Sequence, residues 1–381
     1  MGTGQMDWTF TQDGSYSVEV KKTDAYPLII GRGRLDGLAA LLHQVSEGDA
    51  VFIITDECVS KLWLEHTRAL LVNAGFLTQS VVIANGETSK SWPTAQHLLS
   101  FLSEHGAKRR SVLLALGGGV ICDLVGFVAS IFMRGLPYIC VPTTLMAQLD
   151  AAIGGKTGID FSASKNLVGA FHHPAAILVD PNLLATLPSR EIRSGLAEAI
   201  KVGILHSALF ALLERAAPIQ VNDLDTLSSI VTDAIVGKMR LLRADPFENS
   251  LMRLLNLGHT VAHALEAATR FETYRHGEAV AIGIAVATEI SRSRGLCQPR
   301  TRDRILACLT NCGLQISLPP EHVAATWSGM DIIRRIRDGK LNEVLPVTIG
   351  QCVIVDEIGL DEYEAAVGTL TRWAKHAAVK T

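Results

Sequence analysis

Five short apolar runs dominate the first half of the chain: Val51 to Thr55, Ser80 to Ala84, Ser111 to Leu116, Tyr138 to Pro142 and Ala176 to Val179. Between them, Val59 to Ala74, Pro93 to His105 and Val120 to Phe132 have the length and apolar spacing of helices. Strands without polar alternation are buried on both faces, which requires a parallel sheet covered by helices on either side. The first half is therefore expected to be an α/β domain of the Rossmann-like, nucleotide-binding type.

The pattern changes near Thr186. Beyond it the chain is nearly all helix-patterned: Arg190 to Lys201, Ala208 to Ala216, Leu224 to Arg243, Leu251 to Ala268, Glu278 to Arg294 and Arg302 to Cys312. A β segment, Val344 to Val355 turning at Gly350, precedes a closing amphipathic helix from Asp361 to His376. At 381 residues the chain exceeds what one core usually supports. Two domains are expected, an α/β domain over 1–185 and a mostly α-helical one over 186–381. No repeat or low-complexity linker separates them, which predicts tight packing around a cleft.

Composition excludes several classes. With 48% hydrophobic and 19% charged residues the chain is not disordered. Basic and acidic residues number 35 and 38, for a net charge of −3, which argues against a nucleic-acid or polybasic membrane footprint and favours a small anionic ligand. A mean hydropathy of +0.26 invites a membrane reading. However, Ser111 to Met133 is broken by Asp123 and the glycines at 117–119, and Ala279 to Thr288 is only about half of the ~20 residues a span needs. Met1 to Gly14 lacks a basic and then apolar leader, and the seven cysteines are odd in number and scattered, so reduced core thiols and a cytoplasmic location are expected.

Several segments carry chemistry. Leu113 to Asp123 reads LLALGGGVICD, a strand, three glycines and a helix start bearing an acid. Such glycines let the backbone approach a pyrophosphate, and the helix N-terminus behind them offers unpaired N–H groups and a positive dipole end. The spacing is not the GxGxxG fingerprint, so a tight turn without ligand competes. Asp56, ending VFIITD, is placed either to bond a ribose hydroxyl or to cap a helix. The polar stretch that follows the fourth apolar run holds Thr143, Thr144, Asp150, Lys156, Lys165 and Asn166 among glycines, a composition that neutralises a phosphate or a developing oxyanion. A solvated loop is the alternative.

The second half of the chain has metal-ligand character, spread over three motifs. LAEAIK puts Glu198 and Lys201 one turn apart on one helix face, NLGHTVAHALE puts His259 and His263 at i, i+4, and YRHGEA supplies His276 at a helix start. A catalytic metal site takes three protein ligands and leaves one position open. Glu198, His259 and His276 make such a set; by spacing alone, His259 with His263 is an equal choice.

Taken together, GETSK, GGGVICDLVGF, RGLPYICVPTTLMAQLDAAIGGKTGI, KNLVGAFHHP, SGLAEAIKVG, LLNLGHTVAHALE and HGEAVAIG resemble the 3-dehydroquinate synthase superfamily, the sugar phosphate cyclases, from about Asp56 to Gly350. The resemblance implies NAD and a divalent metal, zinc or cobalt. It also implies one site in which a hydroxyl is transiently oxidised, phosphate eliminated, the hydride returned and a carbocycle closed by an intramolecular aldol step. By the same resemblance Glu198, His259 and His276 match the metal ligands. Asp150, Lys156, Lys165, Asn166, Lys201, Lys238, Asn256, His263 and Lys340 match substrate-contacting positions. Asp56, Glu87, Lys90, Gly118, Gly119, Val120, Asp123, Thr143, Thr144, Thr186 and Glu191 fall on nucleotide-binding positions, with Lys165 near both groups. Arg134 matches an arginine reaching the neighbouring subunit's phosphate, which implies a homodimer.

One departure bears on substrate. Where dehydroquinate-forming members read LRALLNLGHT, with the arginine pairing the substrate carboxylate, this chain reads LMRLLNLGHT, placing Met252 there and Arg253 about 100° around a helix. A thioether cannot pair with a carboxylate, at a cost of roughly 1.5–3 kcal/mol. The expected substrate is a neutral-headed sugar phosphate, foremost sedoheptulose 7-phosphate giving a valiolone-type cyclitol, ahead of the glucose 6-phosphate branch. DPFENSLMR and the strand-like start Trp8 to Val20 also resemble those relatives. The competing functions are 3-dehydroquinate synthase, a metal-dependent polyol dehydrogenase, and a cyclase-like binding protein without catalysis.

Overall fold

A computed structural model describes residues 3–10, 16–23, 25–162, 164–247, 250, 252–336 and 339–378. It divides into two compact units, one of Met1–Thr143 and Gly154–Asp180, the other of Thr144–Ile153 and Pro181–Thr381.

The first unit carries β1 (Thr3–Phe10), β2 (Tyr16–Thr23), β3 (Leu28–Ile30), β4 (Ala50–Asp56), β5 (Leu77–Ile83), β6 (Val112–Gly117), β7 (Tyr138–Pro142), β8 (Lys156–Phe161), β9 (Ser164–Phe171) and β10 (Ala176–Val179). Six of these form one sheet in the order β3-β10-β7-β6-β4-β5, every neighbouring pair parallel. All five expected runs are strands of this sheet, and β6 and β7 are buried along their whole length. The chain leaves β4 for β5 on one side and returns to β6 on the other, so the sheet reverses its winding between β4 and β6. Ligands of open α/β sheets bind at that reversal, outside the carboxyl ends of the strands.

The polar stretch after β7, for which a solvated loop was the alternative reading, includes β8, which pairs with β9 in an antiparallel hairpin, and Gly126 lets β8 lie close, since a Cβ there would stand 2.4 Å from Thr157. The strand-like start is two antiparallel strands, β1 and β2.

The second unit is helical, with an antiparallel β11 (Glu343–Thr348) and β12 (Gln351–Val355). At its centre lies the His276–Ser293 helix, buried at every residue from Ala279 to Ser291. A helix apolar all round is a core helix, which accounts for the run that raised a membrane reading. Its one buried acid there, Glu289, is satisfied by Arg292 and Arg302 at 2.6–2.8 Å. Among the described residues no helix is long and apolar enough to cross a membrane. The seven cysteines are free thiols, five of them buried.

The helix expected over 251–268 is interrupted; Leu251 itself lies outside the described residues. Leu254–Asn256 is a short 3-10 turn, Gly258 adopts φ 77, and the helix runs from His259 to Ala268. A helix at Pro320–Ile336, absent from the sequence reading, packs on it.

Candidate active site

In the first unit, Asp56 and the glycines at 117–119 end the adjacent strands β4 and β6, at the winding reversal. Gly117 is required by the turn itself, because a Cβ there would lie 2.5 Å from Ile121. Gly118 is the N-cap of the Gly119–Ile131 helix and provides no side-chain cap, so the amides of Gly119 and Val120 have no intrahelical acceptor. Asp56 does cap a helix: its Oδ1 accepts from Cys58 N at 2.8 Å and Val59 N at 2.9 Å, an arrangement that does not use Oδ2. Thr143 is tied to the glycine turn by its N–H to Gly117 O at 2.9 Å. Its hydroxyl is buried and, among the described residues, has no hydrogen-bond partner. An orphaned hydroxyl beside an uncapped helix start fits a phosphate-bearing nucleotide.

Beside this turn, buried Lys90 pairs with Asp123 and donates to Asn166 Oδ1. Burial works to lower the Lys90 ammonium, but Asp123 and Glu87 outweigh it and raise it, so it stays charged. Lys165 lies 3.5 Å from Glu87. Sequence reasoning did not single out Asp160, which joins these groups. Its N–H donates to Lys90 O at 2.8 Å, and its Oδ1 accepts from the N–H of Asn166 at 2.9 Å, where Asn166 sits at φ 53. Burial raises the Asp160 carboxyl despite that bond. Lys156 opens β8 and is exposed.

In the second unit, three helices meet at close-packed glycines. A Cβ on Gly277 would stand 1.8 Å from Ser194 O, one turn before Glu198, and one on Gly283 would stand 1.9 Å from Gly258 O, beside His259. Gly277 N also donates to Ser194 Oγ at 3.1 Å. These contacts bring Glu198, His259 and His276 together. Glu198 Oε1 lies 3.5 Å from His259 Nε2 and 3.6 Å from His276 Nε2, and its carboxylate pairs with Lys201.

The protons on these rings are fixed by their other nitrogens. His259 Nδ1 faces Leu257 O at 3.1 Å and His276 Nδ1 faces Glu266 Oε2 at 3.2 Å. Both partners only accept, so each Nδ1 carries the hydrogen and each Nε2 presents a lone pair toward Glu198. Two lone pairs and a carboxylate facing one another in a buried site call for a cation, and carboxylate with two imidazoles suits zinc or cobalt. Burial, and then the Lys201 charge, hold His259 well below its ordinary pKa, in the neutral ligand form. His263 is exposed, with its ring centroid 5.3 Å from that of His259 and 5.9 Å from that of His276, so the structure brings both candidate ligand sets into one cluster. Glu266 was missed; the signal available was an acid two turns after His259, on the same face of one helix.

The remaining positions divide. Asp150 and Lys238 meet, Lys238 Nζ donating to Asp150 Oδ1 at 2.5 Å, Asp150 O at 2.6 Å and Ile153 O at 2.9 Å. Asn256 is half-buried three residues before His259. Met252 is 56% exposed, while Arg253 donates from Nε to Ser250 O at 2.6 Å, turned back on its own loop. Lys340 pairs with Asp356 at 2.8 Å on an exposed surface. Three nucleotide-position matches belong to this second unit: Thr144 Oγ1 accepts from Ala147 N at 3.2 Å, Thr186 Oγ1 donates to Leu183 O at 3.4 Å, and Glu191 pairs with Arg275 at 2.9 Å. Arg134, in the first unit, is exposed at φ 67 and makes no ion pair among the described residues.

Residues 80–194 match the model for the N-terminal domain of 3-dehydroquinate synthase and residues 195–332 that for its C-terminal domain. The chain is 45% identical over 366 residues to a 2-epi-valiolone synthase of Stigmatella aurantiaca, covering 92% of this chain and 90% of that protein. It is 38% identical over 350 residues to a 3-dehydroquinate synthase of Cereibacter sphaeroides, covering 90% and 94%. A solved 2-epi-5-epi-valiolone synthase from Streptomyces hygroscopicus, with NAD+ and Zn2+ bound, superposes with a TM-score of 0.87 at 31% identity, over 93% of this chain and 99% of that one. The chain belongs to the 3-dehydroquinate synthase-like family of sugar phosphate cyclases.

Proposed function

We propose that the chain closes sedoheptulose 7-phosphate to a valiolone-type cyclitol, 2-epi-valiolone or 2-epi-5-epi-valiolone, acting as a carbon–oxygen lyase on phosphate. The observation that carries this reading is Met252 in place of the carboxylate-pairing arginine, with the adjacent Arg253 held on Ser250 O. The higher identity to a valiolone synthase than to a dehydroquinate synthase supports it.

NAD is held by the turn at 117–119 with Asp56, Lys90, Asp123 and Thr143, and a divalent metal by Glu198, His259 and His276. When bound, NAD supplies reversible hydride acceptance and the metal supplies Lewis acidity at the oxygen being oxidised. The chain's own residues do the rest. Lys156, Lys165 and Asn166 present donors to the phosphate and the sugar oxygens. Lys201, buried against Glu198, keeps a cationic donor beside the oxygen that loses its proton, and exposed His263 takes or returns a proton at a ring nitrogen. The protein works as a homodimer, with Arg134 serving the partner's phosphate. Its exposure, the absence of an ion pair to it among the described residues and its left-handed backbone beside Met133 at φ 48 support that outward role.

The second reading is 3-dehydroquinate synthase, favoured by the retention of Lys238, Asn256 and His263. Purified protein incubated separately with the carboxylated heptulosonate phosphate and with sedoheptulose 7-phosphate decides between them. Phosphate release from sedoheptulose 7-phosphate without steady-state NADH formation is expected; release from the carboxylated sugar alone overturns the proposal.

A further inference from the structure

We infer that Glu266 is the positioning residue of the metal centre, fixing the tautomer and ring orientation of His276; this rests on the reading that Glu198, His259 and His276 hold a metal. Glu266 is 1% exposed on the helix that begins with His259, two turns further along and on the same face. From there its Oε2 meets His276 Nδ1 at 3.2 Å, while the opposite nitrogen of that ring points to Glu198.

The two ligand histidines are thus oriented by different means. His259 leans on a backbone carbonyl, which no substitution removes, whereas His276 depends on a side chain. The main chain at His276 is fixed by Gly277 against Ser194, so what remains free is rotation of the ring, and a carboxylate accepting from Nδ1 selects one of its two faces. A buried carboxylate on the far nitrogen also raises the electron density at Nε2 and so strengthens it as a ligand. The carbonyl of Glu266 accepts from Phe271 N at 2.8 Å and Thr269 Oγ1 at 3.3 Å, and both of these main-chain bonds survive side-chain replacement.

The experiment titrates chelator-stripped full-length protein with Co2+ against a competing chelator, following the visible d–d spectrum. Wild type, Glu266→Gln and Glu266→Ala are compared, with melting of the metal-free forms and NAD binding measured alongside. Co2+ affinity should fall about 10–100-fold in Glu266→Ala with an altered spectrum. It should fall less in Glu266→Gln, whose amide oxygen still accepts from Nδ1 but without charge, while NAD affinity holds. If Glu266→Ala does not fold, the isosteric Glu266→Gln carries the test by the same two readouts. Wild-type affinity and spectrum in the folded variants overturn the inference alone; a wild type that binds no Co2+ overturns the metal reading as well.

Discussion

Lys238 and Asp150, 88 positions apart in sequence, are bonded twice over, the ammonium reaching both the carboxylate at 2.5 Å and the carbonyl of the same residue at 2.6 Å. A third bond to Ile153 O uses the last ammonium hydrogen, so this lysine holds the 150–153 turn in place. Lys238→Met should destabilise the protein by about 2–4 kcal/mol, a little under the cost of breaking a fully buried pair, because the Asp150 side chain is 28% exposed. In a double-mutant cycle with Asp150→Asn, urea unfolding should show coupling of at least ~1 kcal/mol. Strict additivity would mean that the pair does not act as a unit.

The same pair gives a pH signature. Burial would raise the Asp150 carboxyl, but Lys238 and Lys201 outweigh it and hold it well below the usual carboxylate range. A carboxyl depressed on folding contributes stability that is complete above its ordinary value near ~4 and is lost as pH falls below it. Wild-type stability should therefore drop more steeply below about pH 4 than that of Asp150→Asn. Parallel curves in acid denaturation would contradict this.

Thr143→Val removes a buried hydroxyl that has no hydrogen-bond partner among the described residues. Replacing an unpaired hydroxyl by a methyl should leave the melting temperature of the ligand-free protein unchanged or raised, while NAD binding weakens by roughly 0.5–1.5 kcal/mol, or ~2–10-fold. Calorimetric titration with NAD measures the second effect. Unaltered affinity would place the nucleotide elsewhere.

Met252→Arg tests the substrate. The variant should gain phosphate release from the carboxylated heptulosonate by roughly 10–150-fold, the equivalent of ~1.5–3 kcal/mol, and lose activity on sedoheptulose 7-phosphate. No gain on the carboxylated sugar would show that position 252 does not read that end of the substrate.

Gly277→Ala forces a methyl group to within 1.8 Å of Ser194 O unless the helices separate. A loss of about 1–3 kcal/mol or more is expected, with metal retention falling together with stability because His276 is the neighbouring residue. Metal retained at the wild-type level would mean that the histidine does not depend on this contact.

What the sequence disclosed follows from the range of the interactions involved. The strands around Ile53, Leu114 and Val141 were legible because full burial demands unbroken apolar runs, while Glu198, His259 and His276 stood out as candidates because side chains able to ligate a metal are few in kind, spacing alone leaving His263 an equal choice. The break at Gly258 was not legible, since its left-handed turn answers to Gly283 on another helix. Nor was the strand character of β8, where the fit of Gly126 against Thr157 is set by tertiary approach. Glu266 and Asp160 were overlooked because each acts through a neighbour's proton, which spacing alone does not encode.

The segment Thr144–Ile153 is written inside the first half of the gene yet belongs to the second compact unit, where Asp150 meets Lys238. A single genetic crossover near Asp180 between two relatives would therefore give Lys238 a foreign turn to grip. An exchange that preserves the pair needs further crossovers bracketing 144–153, so the two halves of this enzyme are expected to be inherited together rather than shuffled as modules.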